Sequence, residues 1–430
     1  MSPRIDPERI SRRIEALSGF TEPGRPWTRT AFSPLYEEAR EWLRQEMQSA
    51  GLSTEIDAGG NLIGRLPGKR NDLGSLGLGS HIDTVPDGGR FDGIAGVVAA
   101  LEVAQAINEA GLHLQHPLAI FDFLAEEPNR FGLSCVGSRA IAGELSADTL
   151  QVKSPEGETL AEGIGRMGGC PEKLTRRLLE PESVRAFMEL HIEQGTRLES
   201  AGDDIGIVTD IVGISRAEIT FTGRADHSGT TPMGKRQDAL VAASIFVAAV
   251  EERARHGGED GHVATVGKLQ VFPNAANAVP GQVVLTLEVR AVGMQTVTEF
   301  FNWAKRAVAG LEQERGIRTK IVPLSSGKPV SMDNNLREVL AGSAARAGLT
   351  TQNMPSGGGH DTAFMGRICP VGMIFIPCRG GRSHCPEEWS SQDQIAKGAE
   401  TLLNAVIELD RKAARVSAPE RQFSFDGAGR

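Results

Sequence analysis

The sequence predicts an α/β protein of two domains, the smaller inserted into the larger. The chain has 430 residues, which is long for a single domain. Apolar runs of strand length alternate with segments of helical period, the pattern of a mostly parallel, mixed sheet flanked by helices. From about residue 213 to 328 the order becomes strand, helix, strand, strand, helix, strand, and afterwards the first pattern resumes. That order is the split-βαβ arrangement, a four-stranded sheet with two helices on one face. We expect a larger domain formed by residues 1–212 and 329–430 and an inserted one over 213–328.

The elements follow in order. Helical spacing marks residues 4–19 through Ile10, Ile14 and Leu17, and residues 34–50 through Leu35, Ala39, Leu43 and Met47. After Gly51 the period falls to two, with strand-like runs at 52–57 and 61–66. A small-residue, apolar run from Leu76 enters His81 as a buried strand, and a helix follows from Ile94 to Ile107 through Val97, Leu101 and Val103. Leu118 to Leu124 reads as a second buried strand ending in Glu126-Glu127, and Val184 to Leu190 as a third that runs into His191. Between them, residues 145–180 read as helical with polar patches, broken by Gly165, Gly168 and Gly169. In the insert we expect strands at 215–222, 263–271, 280–290 and 317–324, with helices at 237–255 and 296–313. A helix at 334–347, a glycine-rich turn into His360, a strand at 371–376 and an amphipathic helix at 392–412 close the chain before a frayed tail.

Composition excludes several classes. A net charge of −9 argues against a nucleic-acid surface and gives no reason to expect an anionic membrane. No apolar run reaches the ~18 residues of a membrane span, and the first residues lack the apolar core of a signal peptide. The 5 cysteines are odd in number and form no CxxC pair. They fit reduced thiols in a cytoplasm better than a disulfide framework, with Cys378 and Cys385 read as buried.

Chemistry concentrates at the strand exits. His81 and Asp92 bracket a Gly/Pro-rich loop whose turns Pro86, Gly88 and Gly89 already explain. Alone, the pair reads equally as a satisfied core histidine and a helix N-cap. Glu126-Glu127 alone reads as an acidic first turn favoured by the helix dipole. Yet His81 with Asp92, Glu126-Glu127, His191 and His384 all lie at strand exits, where open α/β sheets place ligands. Three histidines with several carboxylates exceed one tetrahedral site and suit two metal ions about 3.5–4 Å apart. Adjacent glutamates also permit one to bind metal while its neighbour serves as general base and acid.

The segments Gly79-Ser-His81-Ile-Asp83-Thr-Val-Pro86 and Gly89-Arg-Phe-Asp92-Gly resemble the metal-binding signature of the M20 metallopeptidase/amidohydrolase family. Glu126-Glu127, Glu189-Leu-His191-Ile-Glu-Gln194-Gly, Gly357-Gly-Gly-His360-Asp and Ser383-His384-Cys-Pro-Glu narrow the resemblance to its hydantoinase/carbamoylase branch. It covers nearly the whole chain. It implies a zinc-peptidase-like catalytic domain with a ferredoxin-like lid and dimerisation domain. It also implies two divalent ions per subunit, zinc first, with manganese, cobalt or nickel as alternatives. One would be held by His81, Asp92 and His191, the other by Asp92, Glu127 and His384, with Glu126 as general base.

In the insert, His227 sits on a Gly-flanked turn and reads alone as a turn histidine. In the family it crosses to the partner subunit's site and stabilises the oxyanion. Asn277, in a Pro/Asn turn, and Arg290, at a strand end, have ordinary turn and salt-bridge readings. With Gln194, Gly359 and His360 they resemble the family's substrate clamp, a guanidinium being suited to a carboxylate. Two departures stand out: Gly358 replaces an expected Ala, and Cys385 replaces an expected Asn or Ser. Neither removes a ligand; both bear on which substrate fits. The resemblance implies a homodimer that cleaves the ureido C–N bond of N-carbamoyl-L-amino acids, and the composition places it in the cytoplasm. Allantoate amidohydrolase, β-ureidopropionase and N-acyl amino acid amidase are the enzymatic alternatives, and a silent metal-dependent binding protein is the alternative outside catalysis.

Overall fold

A computed structural model describes residues 2–174, 176–256 and 262–416. The chain forms two compact units, the first of Met1–Val208, Met332–Met354 and His360–Arg430, the second of Thr209–Ser331 and Pro355–Gly359.

Local chemistry sets the first unit's helices. Pro7–Gly19 begins with proline in its first turn, and the Asp6 carboxylate caps it by accepting the N–H groups of Glu8 and Arg9. It buries Ile10, Ile14 and Leu17, as the spacing predicted. Pro34–Ser49 repeats the device with Ser33 as cap. Ile94–Glu109 is apolar on every side and buried along most of its length. Such a helix is stable only when surrounded by protein. Its one buried charge, Glu102, is met by Arg9 at 2.6 Å and Arg13 at 3.4 Å.

The sheet of this unit runs in the order Ser53–Ile56, Leu62–Leu66, Leu118–Asp122, Ser75–Ser80, Val184–Ile192, Val371–Ile376, Ile205–Ile211. Its margins are antiparallel. Its centre, from Leu118–Asp122 to Val371–Ile376, is parallel throughout. These central strands are buried on both faces almost end to end, as a parallel sheet between helices requires. They are also the strands whose exits carry His81, Glu126-Glu127, His191 and the His384 loop. Parallel direction brings all those exits to one edge.

The second unit is the expected βαββαβ sheet, ordered Arg318–Ser326, Gly213–Thr222, Gln282–Ala291, Val263–Phe272, with every ladder antiparallel. Gly213–Thr222 alternates buried and half-exposed residues, the period of a sheet with one covered face. Ile219, Phe221, Leu285, Leu287 and Val289 pack there against Phe246 of helix Ala239–Arg255 and Phe300 of helix Met294–Arg315.

Some expectations change. Among the described residues, 145–180 hold only the helices Ala147–Leu150 and Leu160–Arg166 and a 3-10 turn at Pro171–Lys173, because glycines punctuate the run. Strand Thr351–Ser356 is absent from the sequence reading, since Gln352, Asn353 and Pro355 lack strand character; it lies off the main path of the sheet, where proline is tolerated. Cys385 is half-buried, not buried. The last helix runs from Gln392 to Val416, and the tail beyond it lies outside the described residues. Among the described residues no helix is long and apolar enough to cross a membrane.

Candidate metal centre

His81 leaves the Ser75–Ser80 strand with Nδ1 3.1 Å from the Asp83 carbonyl oxygen. That contact makes Nδ1 the donor and leaves Nε2 as the lone-pair nitrogen. Nε2 is buried without a hydrogen-bond partner, 3.6 Å from Asp92 Oδ1 and 3.7 Å from Glu126 Oε2. His191 is fixed the same way, Nδ1 lying 2.9 Å from the Ile192 carbonyl and Nε2 3.0 Å from Asp92 Oδ1. His384 approaches from the other side, its Nε2 3.3 Å from Asp92 Oδ2 and 3.0 Å from Glu127 Oε1. The two oxygens of Asp92 therefore face different histidines.

The N-cap reading of Asp92 does not hold. The cap of helix Ile94–Glu109 is Gly93 at φ 65°, and no side chain bonds that helix end. A Cβ at Gly93 would run into the His81 ring, so both the left-handed backbone and the close approach require glycine. Ala125, Gln194 and His384 also adopt left-handed backbone, at φ 53°, 57° and 55°. Such conformations in non-glycine residues gather where side chains must be re-aimed at a site.

Ligand-type atoms of His81, Asp92 and His191, and of Asp92, Glu127 and His384, lie within 4.8 Å of one another in each set. A third set, Glu189, His191 and His360, shares His191, but both Glu189 oxygens are already taken by Ser80 and Thr362.

The electrostatics point to a cation. Burial opposes the charge of Asp92, but His191, then His384 and His81, outweigh it and hold the carboxyl well below the usual range. Burial pushes Glu126 well above that range, aided by the charges of Glu127, Asp361 and Asp83 and opposed by His81. Hydrogen bonds to Asp92 and Glu127 raise His384 to about 11. The buried acids are balanced here by protons, on the histidines and on Glu126 itself, a job that divalent ions do instead by displacing those protons. The donor set, with inward lone pairs on buried imidazoles and an orphaned Nε2, fits such ions.

The remaining predicted residues divide between the units. In the first, Gln194 Nε2 donates to Asp92 Oδ2 at 2.6 Å, and the buried His360 ring packs 4.6 Å from that of His191. In the second, His227 Nδ1 accepts the N–H groups of Gly229 and Thr230 at 3.1 and 3.2 Å, which leaves its proton on Nε2. Asn277 is exposed, and its carbonyl takes the Ser228 N–H at 3.0 Å. Arg290 bonds Glu288 and the Gly357 carbonyl, both at 2.8 Å, and Gly359 ends the loop that this carbonyl begins. Sequence reasoning gave no role to Asp83, whose two oxygens accept the N–H groups of Glu126 at 3.2 Å and Glu127 at 3.1 Å. Its position two residues after His81 was the available signal.

A mixed α/β sheet with a histidine–carboxylate cluster at the carboxyl edge of its parallel centre defines the class, an α/β protein with a candidate two-site metal centre. Residues 77–408 match the model of peptidase family M20/M25/M40, and the chain belongs to that family. An N-carbamoyl-L-amino-acid amidohydrolase of Paenarthrobacter aurescens is 38% identical over 405 residues, covering 94% of this chain and 98% of that protein. Allantoate deiminase 1 of Glycine max is 33% identical, covering 91% of this chain and 86% of its own. Among solved structures, a hydantoinase/carbamoylase family amidase from Burkholderia multivorans superposes with a TM-score of 0.86 at 32% identity, over 95% of this chain and 98% of the other.

Proposed function

We propose that the chain is a di-metal amidohydrolase that cleaves the ureido C–N bond of N-carbamoyl-L-amino acids. One water is consumed, and ammonia, carbon dioxide and the free amino acid are released. The observation that carries this reading is the division of the Asp92 oxygens between two histidine sets, with Glu126 beside them and outside both triplets. His81, Asp92 and His191 would hold one ion and Asp92, Glu127 and His384 the other; zinc, manganese, cobalt and nickel all suit these donors. When bound, the ions supply Lewis-acid polarisation of the carbonyl and lower the pKa of water.

The chain's own groups do the rest. Glu126, raised by burial, takes a proton from the attacking water and returns it to the departing nitrogen. His227 of the partner subunit offers its Nε2–H to the developing oxyanion, a tautomer supported by the two N–H groups on Nδ1. Arg290 and Asn277 take the substrate carboxylate, while Gln194, Gly359 and His360 seat the ureido group. The second unit acts as lid and dimer contact. Exposed Val263, Leu269 and Phe272 on its edge strand support an interface between two copies. Free cysteines at all five positions fit a reducing cytoplasm.

Allantoate is the second reading, favoured by the soybean relative. The test is release of ammonia from N-carbamoyl-L-amino acids, allantoate and β-ureidopropionate, and of free amino acid from N-acetyl amino acids, each with and without chelator. Chelator-sensitive turnover of carbamoyl amino acids is expected. Turnover of allantoate alone would transfer the same residues to that substrate, and silence on every ureido compound would overturn the reading.

A further inference from the structure

We infer that Glu388, with Ser383, is the positioning residue that orients Asp92 between its two histidine sets. This rests on the reading of Asp92 as the shared ligand. Glu388 is 1% exposed, although Glu387 beside it faces solvent. Its Oε1 accepts the N–H groups of Phe91 at 2.8 Å and Asp92 at 3.0 Å, and its Oε2 meets the Ser383 hydroxyl at 2.8 Å. Ser383 Oγ lies equally close, 2.8 Å, to Asp92 Oδ2. Glu388 thus holds the Asp92 backbone directly, and the single Ser383 hydroxyl proton is shared between its Oε2 and Asp92 Oδ2.

Gln194 Nε2 adds a side-chain contact, donating to Asp92 Oδ2 at 2.6 Å and to Ser383 Oγ at 3.3 Å, whereas Glu388 takes the backbone N–H groups of the loop as well. Helix Ile94–Glu109 starts at Gly93 without a side-chain cap; its first N–H groups reach the carbonyls of Asp92 and Phe91, at 2.7 and 2.9 Å, and leave the N–H groups of both residues to Glu388. The Glu388 carboxyl packs so closely on the loop that a Cβ at Gly89 would collide with it. The flanking Arg90 guanidinium is stacked, 4.9 Å from the Trp27 ring and 5.0 Å from the Trp389 ring, which steadies the loop but touches no oxygen of Asp92. Partners behind metal ligands set ligand direction, and their loss typically lowers metal affinity about 10–100-fold. Glu388 and Ser383 do this for a ligand shared by both triplets, so their loss weakens both ions together. A residue behind one histidine would weaken one.

The test is divalent-ion titration of the full-length apo protein by calorimetry, with circular dichroism and melting curves as fold controls. Glu388→Ala is expected to weaken both binding steps about 10–100-fold. Glu388→Gln keeps an acceptor for the two N–H groups and reverses the bond to Ser383, its Nε2 donating to Ser383 Oγ and leaving the hydroxyl proton to Asp92, and is expected to stay within about threefold of wild type. Ser383→Ala, a surface-reaching change that spares the loop backbone, should weaken both steps with the melting curve unchanged. It carries the test if Glu388→Ala does not fold. Affinities in Ser383→Ala and Glu388→Ala within about twofold of wild type, or weakening confined to one ion, would overturn the inference. So would Glu388→Gln binding as poorly as Glu388→Ala. Wild-type protein that takes up no divalent ion would instead remove the ligand reading itself.

Discussion

The two triplets that share Asp92 are built differently. His81 and His191 sit at the ends of central strands with side chains 1% exposed, and each ring is fixed by a backbone carbonyl. His384 stands on a loop past the strand that ends at Ile376, its side chain 49% exposed and its backbone left-handed. One side of the centre is thus set by the sheet before any ion arrives, while the other depends on a loop being held in place. Rigid elements position ligands more tightly than loops do. The ion between His81 and His191 should therefore bind first and leave last, and the ion at His384 should be the exchangeable one.

Asp92→Ala tests what the two sides share and should have the largest effect: no ion retained by elemental analysis and no detectable turnover. Glu126→Gln separates chemistry from binding. Both ions should remain, while kcat falls roughly 10²–10⁴-fold. His384→Ala and His191→Ala set the two sides against each other. The first should leave one ion per chain and an unchanged melting temperature. The second should lose its ion and melt lower, since it opens a gap among buried rings. Equal metal loss and equal melting in the two variants would erase the contrast.

A smaller effect concerns the scaffold on the sheet side. The Asp410 carboxylate accepts the N–H groups of Gln115 at 2.8 Å and His116 at 2.9 Å, just ahead of the strand that leads to Glu126. Burial opposes its charge, but the His116 ring and these N–H groups hold it below its ordinary value. A depressed carboxylate adds stability that is present above the unfolded value of about 3.9 and is lost as pH falls through the lower folded value. Melting between pH 6 and 3 should therefore be less acid-sensitive in Asp410→Asn, by roughly 1–3 °C at most. An identical acid profile in the two proteins would contradict this.

The centre was legible because its ligands stand where sequence patterns are strongest, immediately after buried apolar runs. The strand into His81, the run before Glu126-Glu127 and the run into His191 each announce an exit. Parallel pairing then follows from the intervening helical segments. What was not legible depends on partners far apart in sequence. Glu388 meets Phe91 across 297 positions, and no local spacing reports that bond. Asp92 read locally as a helix cap, and only the position of Gly93 releases it from that role. Thr351–Ser356 escaped for the opposite reason, since its pairing with Ile205–Ile211 overrides a polar, proline-bearing sequence. Cys385 took its burial from neighbours that a single sequence does not display.

The most direct measurement adds zinc or manganese stepwise to apo protein and follows bound metal and ammonia release from an N-carbamoyl-L-amino acid in the same sample. Turnover should stay near zero through the first equivalent, which fills the sheet-side position, and rise with the second. Full turnover at one equivalent per chain, or turnover in metal-free protein, would contradict a shared two-ion centre.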